Sequence, residues 1–279
     1  MIQSLFSGVS GMLTNQTEMD VLGNNIANAN TIAFKASRAN FTESFLQVSR
    51  AATVNEPEGF GIGLGAQTST TQTNFNQGAF QTTNVPTDMA INGDGWFTVQ
   101  TVGGADYVTR NGSFVEDSQG FLRTSDGNFL MGKAGNTPPA SPTVGFPTDK
   151  IQIPATVTSG SPVVSFSVDA TGAITVTGQD GTTQVTGFIT LQKYDNNDGL
   201  QDMGNSLYQY QVAAGTNNQY EAGDSVVGTI HTGVLEASNV DLSTEFATMI
   251  ITQRGFEAAA RVITVSDNML QTVTNLKQQ

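Results

Sequence analysis

His231 is the single histidine in 279 residues, and the chain contains no cysteine. A lone imidazole cannot form a His pair on a metal, and a Ser/His/Asp relay would have to rest on this one residue within Thr229-Ile230-His231-Thr232, a run of strand character. A structural or surface role for His231 is the expectation. The glycine cluster Gly59-Phe60-Gly61-Ile62-Gly63-Leu64-Gly65 fits neither GxGxxG nor GxxxxGK(S/T), and no lysine follows it, so it reads as a connector rather than a phosphate loop. Asp195-Asn196-Asn197-Asp198-Gly199 opens like a calcium loop, but its glycine comes one position early and Ser206 stands where the closing glutamate belongs. Carboxylates beside Gly and Asn serve turns, and the sequence supplies no pair held at catalytic distance. Trp96, Tyr107, Tyr194, Tyr208, Tyr210 and Tyr220 could form a carbohydrate-stacking platform or could pack core and strand edges. These residues predict no enzyme, no metal site and no cofactor.

Charge narrows the partners. Twenty-four acidic against eleven basic residues give −13, which repels a phosphate backbone and an anionic membrane surface alike. Residues 1–33 carry only Glu18 and Asp20, and residues 241–279 carry four acids and three bases, which leaves −10 in the middle. The ends are nearly uncharged. Absence of cysteine removes disulfides and suits a protein working outside the cell without redox accidents. The first basic residue is Lys35, so the start lacks the charged region of a secretory signal, and no apolar run approaches the roughly 20 residues of a membrane span. Export, if it occurs, is expected by another route.

The elements that must carry a function are therefore the ends themselves. Ile2, Leu5, Val9, Met12, Met19 and Ile26 fall on alternating three- and four-residue steps, with Gln16 and Gly23 completing a heptad seam. Gly8, Gly11 and Gly23 each cost about 1 kcal/mol relative to Ala inside a helix, so this helix needs a partner. The other end supplies one: Leu242, Phe246, Met249, Gln253, Phe256, Ala260, Ile263, Asp267 and Leu270 repeat the steps, followed by Val273 and Leu276. Asp241 is the expected N-cap, and Glu245 suits the positive end of the helix dipole. The two helices are expected to pair with each other, an ordinary two-helix layer over a sheet being the alternative.

Between them the punctuation changes to Gly93-Asp94-Gly95, Asn111-Gly112, Asp126-Gly127 and Asp180-Gly181, hairpin-type turns between short alternating runs such as Val164-Ser165-Phe166-Ser167-Val168 and Ile174-Thr175-Val176-Thr177. Pro138, Pro139, Pro142 and Pro147 mark a loop. The expected fold is α+β: terminal helices pairing as a coiled coil around the sequence of a central, mainly antiparallel β domain. Expected boundaries are 1–33 for the N-terminal helix, 34–87 for an extended or β connector, 88–234 for the β domain and 235–279 for the C-terminal helix.

Specific strings then carry a family resemblance. Leu22-Gly23-Asn24-Asn25-Ile26-Ala27-Asn28-Ala29-Asn30-Thr31-Ile32-Ala33-Phe34-Lys35 resembles the N-terminal signature of bacterial flagellar rod and hook proteins, the axial family. Asp88-Met89-Ala90-Ile91-Asn92-Gly93-Asp94-Gly95-Trp96-Phe97 and Tyr107-Val108-Thr109-Arg110-Asn111-Gly112-Ser113-Phe114 resemble its entry into the β domain, and Leu235-Glu236-Ala237-Ser238-Asn239-Val240-Asp241-Leu242 with Gln253-Arg254-Gly255-Phe256 resembles its C-terminal end. The motif residues that matter are Asn24, Asn25, Ile26, Ala27, Asn28, Asn30, Thr31, Phe34 and Lys35.

The resemblance implies a structural subunit that leaves through the flagellar type III export apparatus without a cleaved signal and polymerises helically with copies of itself. Implied neighbours are other axial proteins of the rod, the hook cap and the hook–filament junction, with no nucleic acid and no membrane insertion. Ile2, Leu5, Val9, Met12, Met19, Ile26, Leu242, Phe246, Met249, Phe256, Ile263 and Leu270 are expected to form the polymerisation seam. Met249-Ile250-Ile251-Thr252-Gln253-Arg254-Gly255-Phe256 and Ile62-Gly63-Leu64-Gly65 resemble short hook proteins more than the distal rod protein, so the flexible hook is the expected assembly. The long stretch 42–62 points instead to the stiff distal rod. A secreted adhesin is the competitor from another class.

Overall fold

A computed structural model describes residues 2–50, 60–139 and 141–277. The chain divides into two compact units, one of Met1–Ala29, Ala36–Asn74 and Val240–Gln279, the other of Asn30–Lys35 and Phe75–Asn239.

The first unit holds helices α1 (Ile2–Ala27) and α2 (Leu242–Lys277). Thirty-six residues make α2 about 54 Å long at 1.5 Å per residue. Its start is fixed by Asp241, whose carboxylate accepts from the Ser243 N–H at 3.0 Å and the Thr244 hydroxyl at 2.9 Å. Those hydrogen bonds hold the Asp241 carboxyl below its ordinary pKa. The two helices pair antiparallel, as the contacts of Gly8 with Ile263 and of Asn15 with Gly255 require. The segment between the passages to the second unit forms two antiparallel strand pairs, Ser37–Glu43 with Ala66–Thr73 and Leu46–Arg50 with Phe60–Gly63. The glycine cluster thus opens outside the described residues at Gly59, continues in strand Phe60–Gly63 and ends at Leu64-Gly65, just before Ala66–Thr73. Part of the expected 34–87 connector, residues 51–59, also lies outside them.

The second unit is built on a thirteen-stranded antiparallel sheet. Strand Thr183–Lys193 runs through its middle, paired with Ala173–Gly178, Phe129–Ala134, Trp96–Gln100 and Asn218–Glu221. Period-two alternation explains Ala173–Gly178, where Ile174, Val176 and Gly178 turn inward and the intervening residues are half-buried. The main core gathers Met89, Ile91, Phe97, Leu130, Ile174, Ile189 and Leu191, all essentially buried. A second cluster of Trp96, Val108, Tyr194, Leu200, Tyr208 and Ala214 packs with Phe75, Phe146 and Tyr210.

Two of the four expected turns close hairpins: Asp126-Gly127 joins Leu122–Thr124 to Phe129–Ala134, and Asp180-Gly181 joins Ala173–Gly178 to Thr183–Lys193. The other two join strands that do not pair with each other. Met89–Asn92 pairs with Thr229–Thr232 rather than across Gly93-Asp94-Gly95, and Asp106–Thr109 pairs with Trp96–Gln100 rather than across Asn111-Gly112. Glycine is needed there for close approach: the Met89 carbonyl occupies the space a Gly112 side chain would need, and the Gly228 backbone crowds Gly93. The proline stretch is a loop broken by the short strand Thr143–Val144, which pairs at the edge of the sheet with Asn218–Glu221.

Candidate assembly surface and its motif

The residues whose types suit chemistry serve the fold. His231 is exposed on strand Thr229–Thr232, stacked on Phe80 at 6.3 Å. Asn197–Gly199 is a short 3-10 turn whose N-cap is Asn196, and neighbouring Asp195 spends its carboxylate on Thr216. Among the described residues no three His, Asp or Glu side chains stand close enough to hold a metal ion. Trp96, Tyr194 and Tyr208 are buried in the second cluster. Burial drives the Tyr194 and Tyr208 hydroxyl pKa values up. No open aromatic platform is formed by these three.

The helices meet along a stripe that overlaps the expected seam on α2. On α2, Glu245, Thr252, Ala259 and Ser266 recur every seven residues on the side facing α1. Thr252 and Ser266 are only 3% and 5% exposed. Together with half-buried Met249, Phe256, Ile263 and Leu270 they make the intramolecular stripe. On α1 the matching positions are Ser4, Gly8, Gly11, Asn15, Leu22 and Asn25, one residue before the expected Leu5, Val9, Met12, Gln16, Gly23 and Ile26. Ser4 and Ser266 hydroxyls meet at 3.2 Å, and a methyl group on Gly8 would stand 3.0 Å from the Ile263 side chain. Small and polar side chains let the helices approach closely, where Leu or Met would hold them apart.

The consequence lies on the outside of the pair. Phe6 (59% exposed), Val9 and Leu13 line one side of α1, and Leu242, Phe246 (50%), Ile250 (59%) and Ile251 remain exposed on α2. Farther along, Val262, Val265, Met269, Val273 and Leu276 form a second exposed row. Leu5, Met12, Met19 and Ile26 are half-buried, and Ile2 lies in the helix. Large contiguous apolar exposure of this kind is the composition that marks interaction sites.

The motif at the end of α1 divides its labour. Asn25 is 1% exposed, and its side-chain amide treats Ser37 as a neighbouring strand would: Oδ1 accepts from the Ser37 N–H at 3.0 Å while Nδ2 donates to the Ser37 carbonyl at 2.8 Å. Nδ2 also reaches the Glu245 carboxylate at 3.3 Å, tying the end of α1 to the start of α2. Asn28 folds back onto the Asn24 carbonyl and side chain, closing the helix. Ala27, Asn30 and Thr31 are exposed, the Thr31 carbonyl accepting from the Phe34 N–H.

Lys35, in the second unit, is buried. Its ammonium donates to Glu236 Oε1 at 2.6 Å and to the Asn76 carbonyl at 2.9 Å. Arg110 Nη1 stands 3.7 Å from Glu236 Oε2 and its guanidinium lies over the Trp96 ring. Burial lowers the pKa values of Lys35 and Arg110, opposed in both by the Glu236 charge. Glu236 was visible in the sequence only as part of a string. Its spacing from Lys35 gives no signal that the two meet.

Comparison with known proteins agrees with this architecture. The family described as flagella basal body rod protein matches residues 5–35, the flagellar hook protein FlgE/F/G D1 domain matches 90–176, and the flagellar basal body rod FlgEFG protein C-terminal family matches 231–276. The flagellar basal-body rod protein FlgG of Bacillus subtilis is 38% identical over 284 aligned residues spanning all of both chains. Its counterpart in Borreliella burgdorferi is 34% identical, again across both whole chains. The flagellar hook protein FlgE of Helicobacter pylori is 43% identical over 143 residues, covering 49% of this chain and 20% of that one. The chain belongs to the bacterial flagellar rod and hook protein family. It is a structural component of the flagellar axis, and membership in that family implies a protein without catalysis. Among the described residues no helix is long and apolar enough to cross a membrane.

Proposed function

We propose that the chain is the subunit of the distal rod, the stiff straight shaft, and that it assembles as a helical homopolymer through the exposed apolar rows of its helix pair. The observation that carries the choice of rod over hook is end-to-end correspondence. Relatives named as rod proteins match over both full lengths, whereas the hook relative shares half of this chain and a fifth of its own. The hook preference drawn from residues 249–256 and 62–65 is therefore set aside, and the long stretch 42–62 points the same way. Export by the flagellar type III apparatus and contacts with neighbouring axial proteins belong to this reading.

Polymerisation follows from physical imbalance. Each large apolar side chain left exposed on α1 and α2 is worth roughly 1.5–3 kcal/mol on full burial, before ordering costs are subtracted. Copies of the same chain present the same rows, so a repeating contact buries them all.

The test is electron cryo-microscopy of basal bodies carrying a tag in the exposed 102–104 hairpin tip. Label along the straight shaft within the envelope is expected. Label on the curved segment outside the cell would make the chain a hook subunit, and label on neither would return the adhesin to consideration.

A further inference from the structure

The chain passes between its two units after Ala29, Lys35, Asn74 and Asn239. In the second unit the residues adjoining those passages are 30–35, 75–78 and 236–239, three segments distant in sequence. One buried carboxylate meets all three. Glu236 Oε1 accepts from the Lys35 ammonium and from the Gly78 N–H, at 2.6 and 2.9 Å. Lys35 in turn donates to the Asn76 carbonyl, which also accepts from the Asn239 side chain at 2.9 Å. Backbone bonds complete the gathering: the Ala33 N–H donates to the Glu236 carbonyl and the Ala237 N–H to the Ala79 carbonyl, both at 2.8 Å. No side chain fits at Gly78, because the Ala237 carbonyl fills that space.

This arrangement is poorly suited to stabilising the unit. Side chains of Lys35 and Glu236 are 1% and 0% exposed, and Arg110 brings a second cation whose Nη1 and Nε make no hydrogen bond. Taking such charges out of water costs about as much as their attraction returns, and apolar replacements of similar volume are often as stable or more so. Arg110 lies over the Trp96 ring of the second cluster, so residues of the main core such as Ile174 and Leu191 are the reporters of the unit's own stability. A buried charge that does little for stability still fixes direction, because a carboxylate oxygen satisfied by two donors admits few geometries.

We infer that Glu236 is a positioning residue: its carboxylate, clasped by Lys35 with Arg110 behind it, gathers the three segments by which the chain leaves the β unit and fixes the points from which both terminal helices depart. The clasp stands on its own geometry. Its consequence, a shaft whose subunits hold their helices at fixed departure points, rests on the axial reading above.

Two full-length variants test it. Glu236→Gln keeps the shape and removes the charge. The triple change Lys35→Met, Arg110→Leu and Glu236→Leu removes every buried charge while filling the volume. Hydrogen exchange is followed at the Ala33, Gly78 and Ala237 amides, with Ile174 and Leu191 as core reporters. In the triple variant the first three amides are expected to exchange faster by about tenfold or more while Ile174 and Leu191 do not change, whereas Glu236→Gln, which leaves Lys35 and Arg110 as unpaired buried cations, is expected to accelerate all five. Cells carrying either variant are expected to lose motility with the subunit still exported.

Unchanged exchange at Gly78 in the triple variant would overturn the clasp. In the triple variant, acceleration at Leu191 in parallel with Gly78 would also overturn it, by making the cluster part of the folding core. Fast Gly78 exchange with normal motility would overturn the functional consequence. A tag found on the hook leaves the exchange result untouched, so failure of the rod reading is separable from failure of the clasp.

Discussion

Asn25 shows how a single side chain can be conspicuous in sequence and obscure in role. It stands in a string specific enough to mark the family, yet nothing in that string says that its amide imitates a strand partner for Ser37. Physically, an amide offers one acceptor and two donors, and at 1% exposure each must be used. Asn25→Asp keeps the acceptor for the Ser37 N–H but removes both donors and sets a second carboxylate beside Glu245. Assembled shafts of this variant are expected to lose about 1–3 kcal/mol per subunit, read as a lower urea midpoint for depolymerisation. An unchanged midpoint would show that the Ser37 and Glu245 contacts do not act in the assembly. Lys35 is a parallel case. Its presence in the motif was legible, but its partner lies 201 residues away and no local pattern points there.

At the scale of elements, the existence, the pairing and the approximate extent of both helices were legible because heptad spacing survives three glycines. The register of their contact was not. Reading the seam from large apolar residues selected Leu5, Val9, Met12, Phe246 and their repeats. The helices meet through Ser4, Gly8, Gly11, Asn15, Thr252, Ala259 and Ser266 together with Met249, Phe256, Ile263 and Leu270, four residues within that selection. Hydrophobicity signals burial somewhere, and in the proposed polymer that place for the exposed residues lies on another copy of the chain. Phe246 separates the two roles. It is half exposed on α2, so Phe246→Asp should leave the subunit's helix pair and β unit intact while placing an unpaired charge in the proposed contact between copies. The variant is expected to stay monomeric under conditions where the parent chain polymerises, measured by sedimentation with unchanged near-ultraviolet circular dichroism. Normal polymers would remove Phe246 from the contact surface. In the sheet, by contrast, alternation made Ala173–Gly178 legible. The glycines at 93 and 112 misled because hairpin turns and close backbone contact use the same residue.

For the whole molecule, the charge distribution and the apolar rows describe a chain whose ends and middle obey different economies. The β unit owns a core, with Phe97, Leu130, Ile189 and Leu191 wholly buried, and should fold at any concentration. The helix pair owns little: its contact face mixes small and polar side chains with only half-buried Met249, Phe256, Ile263 and Leu270, three glycines weaken α1, and Phe6, Leu13, Ile250 and Val273 remain in water. An isolated antiparallel pair of this composition lacks the burial to offset ordering 62 helical residues at roughly 1 kcal/mol or more apiece. In the proposed polymer, copies supply what is missing. Helicity at 222 nm should therefore be well below that of α1 and α2 complete in dilute monomer and rise as polymer forms, while the near-ultraviolet signal of Trp96 stays constant. Full helicity in a sample shown to be monomeric by sedimentation would mean that the small-residue seam suffices alone, and that assembly adds contacts between copies to helices already formed.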